Sequence, residues 1–451
     1  MEEDTFLKLS EELKKLLLSK KTQELRRLLI KERPEDIAEV FPRLEPEQQL
    51  ELFSLIEDKD AGTVLYELDE GIREKLINQL PEERVVQIIK LMPPDEATDL
   101  LEELPEEEIF RILKVLPEEE AKELEILLTY PADTAGGIMT TDVIKVNEEN
   151  TIEETIDYLR ENADVESVVY IYVVDRQNKL LGTVDLRKLV ITNPQMKIKG
   201  IIEEDIVSVT AYTPQEEVAS LAAKYDLMAI PVVNQRGRLL GRVTIDDIMD
   251  VMAEEVNEDV FKMAATRDEE LANLSPFSKA KIRLPWLITC LVGTLASAWI
   301  IHSFQVTLSK VIVLAMFIPA IMGMGGNTAL QSLAITIRGM TTGVIDRYQL
   351  SKVIWREIST ALILGLFLGG LVGIIAGVWL SRVSLGFIVG ISMTLAVTLS
   401  TMNGIFVPLF FRRIGIDPAL ASGPLLTTIN DVVGLSVYFG LSTLLFYVFG
   451  L

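Results

Sequence analysis

The sequence predicts an acidic α-helical superhelical N-terminal domain, an α/β module of two similar halves, and an α-helical transmembrane domain with five spans. Three observations support this division of the 451 residues. Proline followed by acidic residues recurs, before residue 120, at a spacing close to 12 or its multiples. One order of strand, helix, strand, turn and strand occurs twice between residues 131 and 250. Five apolar runs after residue 283 are long enough to cross a bilayer as helices.

The charge of the chain is divided unevenly between its two ends. Residues 1–284 hold 35 Lys/Arg and 63 Asp/Glu, whereas residues 310–451 hold eight and four. A soluble region this acidic argues against nucleic acid and anionic lipid as partners, and it favours bound cations. Thiolate and multi-histidine metal sites are excluded within one chain, because Cys290 and His302 are the only residues of their kinds.

The first domain, residues 1–130, is predicted to be a chain of short helices. Residues 1–30 carry Leu and Ile at helical spacing and predict one amphipathic helix. The recurring prolines are Pro34, Pro46, Pro81, Pro93, Pro105 and Pro117. They predict helix starts, because proline at the first helical position loses no hydrogen bond and acidic residues after it complement the helix dipole. Each helix has a small apolar face that only its neighbours can bury, which predicts a superhelix.

Residues 131–250 contain the repeated α/β unit. The Ile-Pro-Val-Val and Gly-Arg-Val-Thr-Ile-Asp-Asp phrases of its second half, at 230–233 and 241–247, resemble a tandem pair of CBS domains over residues 138–252. CBS pairs often bind adenine nucleotides through a spaced Gly, Thr/Ser and Asp, a pattern that Gly241, Thr244 and Asp247 match. The alternative is that Thr244 and Asp247 only cap the following helix.

Residues 251–280 are predicted to form a helix that connects this module to the membrane domain. Its acidic residues Glu254, Glu255, Glu258 and Asp259 fall on one helix face. Like charges at that spacing repel one another, and a solvated face is the simplest interpretation.

The membrane domain is assigned to residues 281–451. The predicted spans are 284–308, 311–337, 358–380, 383–411 and 424–449. Lys/Arg residues precede the first span, separate the second from the third and follow the fourth, so the positive-inside rule places the N-terminal domains in the cytoplasm and the C-terminus outside. Gly373, Gly377 and Gly386 indicate close helix packing or kinks. The glycine-rich stretch 322–327, which ends at Asn327, is predicted to break or loosen the second span.

One acidic residue, Asp431, interrupts the last span, with Asn430 beside it. A carboxylate at membrane depth costs about 2.5–3.5 kcal/mol to insert and requires a partner, an aqueous path or an ion. The two-fold axis of a homodimer would bring two such carboxylates together, where both stay ionised only around a cation. Two carboxylates with water fit a hydrated, hard divalent cation better than an anion or a sugar. The alternative is a lone Asp that caps a broken helix or pairs with an arginine.

The whole chain, in its order, resembles the MgtE family of magnesium channels. The matching phrases are Asp-Thr-Ala-Gly-Gly-Ile-Met-Thr at 133–140, Gly-Gly-Asn at 325–327 with Gln331-Ser332, Gly-Ile-Asp-Pro-Ala-Leu at 415–420, and Asn-Asp-Val-Val-Gly at 430–434. The resemblance implies a homodimer in the cell membrane, with a plug helix between the CBS pair and five spans. The chain departs from the family at Pro214, where some members are acidic, and at Ala329-Leu330, where small or polar residues are more usual.

The resemblance also implies that Mg²⁺ is both transported and sensed. Asp431 would be the pore aspartate, with Asn430 and Asn327 adding polar lining. The implied ligands of regulatory Mg²⁺ are Asp95, Asp99, Gly136, Glu216, Ala223, Asp226, Asp247, Asp250, Glu255, Glu258, Asp259 and Asp417, of which Gly136 and Ala223 would use backbone carbonyls. Cations between these surfaces offset their repulsion, so high cytoplasmic Mg²⁺ would close the path and low Mg²⁺ would open it. ATP at the CBS pair is a further implied ligand.

Other classes of protein fit the residues less well. An ion-coupled carrier of divalent cations such as Mg²⁺, Co²⁺ or Mn²⁺ would use Asp431 as its exchange site. A CBS-regulated anion channel would need many more spans and electropositive helix ends at its site. An enzyme is not expected, because no nucleophile–base pair or phosphate-cradling loop is evident in the sequence.

Overall fold

The computed structural model describes residues 3–161, 170–264, 266, 275–341, 350–421 and 423–449. The chain divides into two compact units, Met1–Ala253 and Glu254–Leu451. The first unit contains the N-terminal helices and the α/β module, and the second contains the membrane helices.

The N-terminal domain consists of short helices around one apolar core. In chain order, α1–α10 are Glu3–Leu18, Thr22–Leu29, Pro34–Ala38, Pro46–Phe53, Asp58–Tyr66, Glu70–Ile77, Glu82–Ile89, Pro94–Glu102, Glu106–Val115 and Glu118–Leu127. The side chains of Phe41 and Phe53 are fully buried in this core and meet edge to face at 6.4 Å between ring centroids. Burial of these helices against one another confirms the predicted helical N-terminal domain.

Two local predictions in this domain are wrong. The single helix predicted over residues 1–30 is split into α1 and α2, because Lys20 adopts a left-handed conformation with φ of 53°. Four of the six repeat prolines lie one position earlier than predicted, at the N-cap. They are Pro81, Pro93, Pro105 and Pro117, whereas Pro34 and Pro46 occupy the first helical turn as predicted.

The α/β module contains two small sheets of the same design. Strands β1–β3 are Lys145–Asn147, Tyr170–Val174 and Leu180–Asp185, and β4–β6 are Val209–Thr210, Ala229–Val233 and Leu239–Thr244. In each sheet the first strand is parallel and the third antiparallel to the middle strand. The accompanying helices are α11 (Ile152–Glu161), α12 (Leu186–Ile191) and α13 (Gln215–Tyr225). The repeated order predicted for the two halves is confirmed.

The next helix, α14, runs without interruption from Ile245 to Met263. It begins as the last helix of the second half and continues into the predicted connecting segment as far as Met263. The predicted start at residue 251 therefore lies inside a longer helix.

Among the described residues, five helices are long and apolar enough to cross a membrane, as predicted. They are α15 (Pro276–Ser303), α17 (Ile318–Thr341), α18 (Leu350–Trp379), α19 (Val383–Arg413) and α20 (Gly423–Phe449), with the short α16 (Gln305–Lys310) after α15. The first begins earlier than predicted, because Ser275 caps it through the backbone N–H of Ser278 and Pro276 occupies its first turn.

The predicted break in the second span is wrong, because α17 is continuous through residues 322–327. Gly325 serves close packing instead, since a Cβ there would lie 2.9 Å from the Ser400 hydroxyl oxygen of α19, whereas Cβ atoms on Gly323 and Gly326 would meet nothing within 4 Å. The close packing predicted for Gly373 and Gly386 is confirmed, since a Cβ on Gly386 would lie 2.4 Å from the Gly373 carbonyl oxygen.

Candidate functional site

Two aspartates of the N-terminal domain lie one turn apart on α8. Asp95 follows Pro94 in the first turn, where a carboxylate complements the helix dipole. Its side chain is 8% exposed, and its Oδ1 atom has no hydrogen-bond partner among the described residues. The Thr140 hydroxyl hydrogen-bonds to the carboxylate. A buried carboxylate oxygen without a donor is unfavourable unless a proton or a cation occupies the position.

Asp95 and Asp99 face the start of α14, where Asp247 lies. Burial raises the pKa of Asp95 to about 6, although hydrogen bonds to its charged form oppose the shift. Burial raises the pKa of Asp99 to about 7, and the charges of Glu102 and Asp247 add to the effect. The pKa of Asp247 is also raised to about 7, first by burial and then by Asp95. The three carboxylates therefore destabilise one another when all are ionised.

Further groups around these aspartates extend the negative surface. The pKa of Tyr66 is raised by burial and then by Asp99 and Asp247. The pKa of Glu67 is raised by burial and by the charge of Asp250, and burial also raises the pKa of Asp250. We call Glu67, Asp95, Asp99, Asp247 and Asp250 the acidic interface. Within the described residues no group of three or more His, Cys, Asp or Glu is close enough to hold a bare metal ion. A cation here would keep part of its hydration shell, as Mg²⁺ commonly does.

The other ligands predicted in the CBS pair are dispersed within one chain. Glu216 lies in the first turn of α13, whereas Asp226 is the C-cap of that helix, with φ of 52°. They are ten positions apart in sequence, which corresponds to about 15 Å along the helix axis, so one ion cannot contact both in one protomer. Ala223 and Asp226 are exposed at the C-terminal end of α13. The Gly136 backbone is buried, and its N–H donates to the Ala211 carbonyl oxygen at 2.8 Å.

Thr244 and Asp247 hydrogen-bond to each other at the start of α14. The Thr244 backbone N–H donates to Asp247 Oδ2 at 3.2 Å, and its hydroxyl donates to the same oxygen. This arrangement matches the capping alternative. Gly241 also has a packing role, since a Cβ there would lie 2.4 Å from the Thr140 carbonyl oxygen. Gly241 thereby allows close approach of the segment whose Thr140 contacts Asp95.

The acidic residues of α14 have a basic neighbour that the sequence analysis did not single out. Lys262 Nζ lies 2.7 Å from Glu258 Oε1 and 2.6 Å from Asp417 Oδ2. Burial alone would lower the pKa of Lys262, but the hydrogen bonds to Asp417 and Glu258 raise it. Glu255 is half-buried on the same helix, and the side chain of Asp259 lies outside the described residues. The predicted approach of the plug helix to Asp417 is therefore made through an ammonium group.

Asp431 lies two turns into α20 and is half-buried in the helix bundle. None of the hydrogen bonds and ion pairs among the described residues involves its carboxylate. Among the described residues, therefore, no contact supports the alternatives that Asp431 caps a broken helix or pairs with an arginine. Asn327 on α17 is exposed, as a residue that lines an open surface must be.

The pore-lining prediction for Asn430 does not fit the protomer. Asn430 is 3% exposed, and its Oδ1 accepts a hydrogen bond from Asn403 Nδ2 of α19 at 2.9 Å. Asn430 faces the bundle interior. Because adjacent residues on a helix point about 100° apart, the side chain of Asp431 points in a different direction. Two signals for the missed residues exist in the sequence: Asn403 is polar within an apolar run, and Lys262 is four residues after Glu258.

These features define a class: a multi-pass membrane protein with an acidic N-terminal unit and a lone carboxylate in its last span. Family models agree. A divalent cation transporter domain matches residues 318–441, an MgtE intracellular N domain matches 32–133, and CBS domains match 135–191 and 198–254.

Known relatives make the assignment specific. The chain is similar to the magnesium transporter MgtE of Bacillus subtilis (37% identical over 324 residues) and of Thermus thermophilus (38% over 327), with 72% of each chain covered in both cases. The chain belongs to the MgtE family. A weaker similarity to the inosine-5′-monophosphate dehydrogenase of Methanocaldococcus jannaschii, 28% over 116 residues, covers only 26% of the chain and reflects the CBS domains. The expectation that the protein is not an enzyme is thus supported by its transporter relatives.

Solved structures match the first unit. The crystal structure of the cytosolic domain of the Mg²⁺ channel MgtE in complex with ATP is 33% identical with a TM-score of 0.52, and covers 54% of this chain and 99% of that one. The soluble part of a magnesium transporter is 30% identical with a TM-score of 0.50, and covers 55% and 99%. The N-terminal domains are therefore the cytoplasmic part of a multi-pass membrane protein.

Proposed function

We propose that this protein is a homodimeric Mg²⁺ channel of the cell membrane, which conducts hydrated Mg²⁺ past Asp431 and closes when cytoplasmic Mg²⁺ is high. Its C-terminus lies outside the cell in this proposal. The observation that carries the proposal is a half-buried carboxylate on α20 that no described residue neutralises, in a chain of the MgtE family. Relatives at 35–38% identity are named magnesium transporters.

The conduction step follows from the chemistry of Asp431. A two-fold axis beside α20 would place two Asp431 carboxylates across one path. A divalent cation between them removes the repulsion that two ionised carboxylates would otherwise suffer. Mg²⁺ would retain its waters and contact the carboxylates through them, which leaves it mobile enough to pass. Asn327, which is exposed on α17, is assigned to the polar lining of this path.

The gating step follows from the acidic interface. Complete ionisation of its carboxylates at neutral pH costs free energy, because burial and mutual repulsion raise the pKa values of Asp99 and Asp247 to about 7. Mg²⁺ bound between α8 and α14 would offset this cost and favour the compact arrangement. When Mg²⁺ falls, repulsion separates the surfaces and α14 transmits the change, since it continues from Asp247 to the acidic plug residues. Gly136, Glu216, Ala223 and Asp226 are assigned to sites completed by the partner subunit.

The plug end of α14 is assigned to a second regulatory site. Glu255, Glu258 and Asp259 would bind Mg²⁺ together with Asp417 in the closed state. Lys262 supplies a competing positive charge there, because its ammonium already contacts Glu258 and Asp417. The occupancy of this site would therefore depend on the exchange of an ammonium for a metal ion.

ATP is proposed as a ligand of the CBS pair. The similarity of the first unit to an MgtE cytosolic domain in complex with ATP supports this assignment. The Thr244 hydroxyl and the Asp247 carboxylate are suited to a ribose, and they currently satisfy each other. Binding of ATP to the purified protein, weakened by Thr244→Val, tests the assignment by calorimetry. Full-strength binding by that variant would contradict it.

Flux into liposomes tests the function as a whole. Purified protein is reconstituted, and Mg²⁺ entry is measured while Mg²⁺ on the cytoplasmic side is varied and Ca²⁺, Co²⁺, Ni²⁺ or Mn²⁺ competes. The expected result is Mg²⁺ current without a counter-ion gradient, and inhibition as cytoplasmic Mg²⁺ rises. Flux that requires a proton or sodium gradient would identify a carrier with Asp431 as its exchange site.

A further inference from the structure

A cluster of polar side chains lies inside the membrane unit, on the side of α20 that Asp431 does not occupy. Asn403 and Ser400 of α19 and Asn430 of α20 form it, and we call it the amide cluster. Ser400 is 1% exposed and Asn430 is 3% exposed. Both side chains are therefore inaccessible to bulk water, although both carry polar groups that require hydrogen bonds.

The amide cluster is only partly satisfied. Asn403 Nδ2 donates to Asn430 Oδ1 at 2.9 Å, but Asn430 Nδ2 and Ser400 Oγ are buried without partners among the described residues. Neighbouring hydroxyls behave differently: Thr401 and Thr328 donate to carbonyl oxygens of their own helices. A contact that served packing alone would be apolar or fully satisfied, so the cluster requires another explanation.

The cluster lies where three helices meet. Cβ atoms placed on Gly325 of α17 and Gly434 of α20 would lie 2.9 Å and 3.7 Å from Ser400 Oγ. Ser400 and Asn403 are one turn apart on α19, and Gly434 and Asn430 are one turn apart on α20. The two unpartnered groups thus lie about one helical turn from each other, a separation that one water molecule bridges.

We propose that the amide cluster positions Asp431 for conduction. No described residue holds the Asp431 carboxylate, so its direction depends on the rotation of α20 about its axis. The hydrogen bond from Asn403 to Asn430, the residue directly before Asp431, fixes that rotation in the turn of α20 that contains Asp431. Ser400 and Asn430 Nδ2 complete the cluster by binding one buried water. Asn403 and Ser400 are positioning residues, and this proposal rests on the proposed role of Asp431.

The test compares Asn403→Leu and Ser400→Ala with a matched control on the same pair of helices. Ser392 of α19 and Ser442 of α20 form a buried polar contact between the same two helices, at 3.1 Å, and Ser442 lies eleven residues beyond Asp431 along α20. In the liposome assay, Asn403→Leu should raise the Mg²⁺ concentration at half-maximal flux about three- to tenfold, with maximal flux changed less than twofold. Ser400→Ala should raise it about twofold, and Ser392→Ala should leave it unchanged.

A double variant separates positioning from stability. Asn403→Leu with Asn430→Leu replaces both amides by apolar groups, so thermal stability should recover relative to Asn403→Leu alone. The half-saturating Mg²⁺ concentration should stay raised, because the hydrogen bond that fixes α20 is still missing. Recovery of both together, or an equal shift in Ser392→Ala, would overturn the positioning role. Normal flux in Asp431→Asn would instead refute the proposed pore residue, and if Asn403→Leu does not fold, an unshifted Ser400→Ala overturns the proposal.

Discussion

The acidic interface of the cytoplasmic unit and the surroundings of Asp431 are two different ways to keep carboxylates in need of a cation. At the acidic interface several carboxylates are crowded together, and burial and mutual repulsion raise the pKa values of Asp95, Asp99 and Asp247. At Asp431 a single carboxylate has no neighbouring acid in its helix, and buried amides lie behind it. In the proposed function, the crowded carboxylates would respond to the cytoplasmic cation concentration, and one carboxylate per subunit would bind an ion weakly enough to release it.

Removal of the isolated carboxylate, that of Asp431, should have the greatest effect on flux. Asp431→Ala should reduce Mg²⁺ flux at least about a hundredfold, because a charge that faces the ion at close range is lost. Flux in liposomes measures this, with dimerisation and thermal stability as checks on folding. Glu357→Gln is the matched control, since Glu357 is another carboxylate of the membrane helices but accepts a hydrogen bond from Ser332 at 3.1 Å. Glu357→Gln should retain at least about half of the flux. Comparable losses of flux in Asp431→Ala and Glu357→Gln would contradict a special role for Asp431.

Neutralisation of the crowded carboxylates at the acidic interface should have the second largest effect. Asp95→Asn, Asp99→Asn and Asp247→Asn together should raise the cytoplasmic Mg²⁺ concentration needed for closure about tenfold or more, because the repulsion that Mg²⁺ offsets is gone. Inhibition of flux by cytoplasmic Mg²⁺ measures the shift. Glu106→Gln, Glu107→Gln and Glu108→Gln, at the start of a neighbouring helix, remove the same number of charges elsewhere in the domain. An equal shift in that control would mean that total charge, and not the interface, sets the response.

The third effect is a dependence of stability on pH without Mg²⁺. The folded-state pKa values of Asp95, at about 6, and of Asp99 and Asp247, at about 7, lie above the ordinary value of 3.8. The folded protein therefore binds more protons than the unfolded chain between about pH 4 and 7, and stability must rise as pH falls through this window. Each of the three carboxylates should add about 1–3 kcal/mol to the free energy of unfolding from pH 8 to pH 5.

Thermal unfolding in Mg²⁺-free buffer at a series of pH values measures this dependence. The triple Asn variant of the acidic interface should lose most of the slope. Saturating Mg²⁺ should stabilise the protein more at pH 8 than at pH 5, because protons and Mg²⁺ compete for the same carboxylates. A stability that falls between pH 8 and pH 6 would contradict the assignment of raised pKa values to these groups.

The smallest effect concerns Lys262. Lys262→Met removes the ammonium that competes for Glu258 and Asp417, so closure should occur at about two- to threefold lower cytoplasmic Mg²⁺. The ion pairs are partly exposed, with 24% of the Lys262 side chain and 36% of that of Asp417 accessible, which keeps the effect small. Lys197→Met serves as the control, because it removes an ammonium that pairs with Glu149 and is adjacent in sequence to no assigned ligand. Closure at higher Mg²⁺ in Lys262→Met would instead show that the ammonium itself holds the closed state.

The same contrast explains what could be predicted from the sequence. Asp431 is evident in the sequence, because a single charge in an apolar run is costly wherever the helix lies. Asp95 and Asp247 look like ordinary first-turn acids, and their approach across about 150 residues depends on packing that no local pattern encodes. Their assignment came only through the family resemblance.

The errors have local physical causes. The glycines at 322–327 predicted a broken helix, yet Gly325 allows α17 to pack against Ser400 without a break. The pore-lining role of Asn430 stays a prediction: Asn430 is buried within the protomer, and adjacent helical residues point in different directions. Lys20 split the first predicted helix through a left-handed backbone that side-chain periodicity does not reveal.

A density map of the full-length protein in a lipid nanodisc with Mg²⁺ would show directly whether Asp431 lines a Mg²⁺ path. We expect density for a cation on a two-fold axis between two Asp431 side chains, at the longer carboxylate–metal distance that an intervening water imposes. A map in which Asp431 faces lipid, or in which its carboxylate is separated from any aqueous route, would contradict the proposed conduction of Mg²⁺ past Asp431.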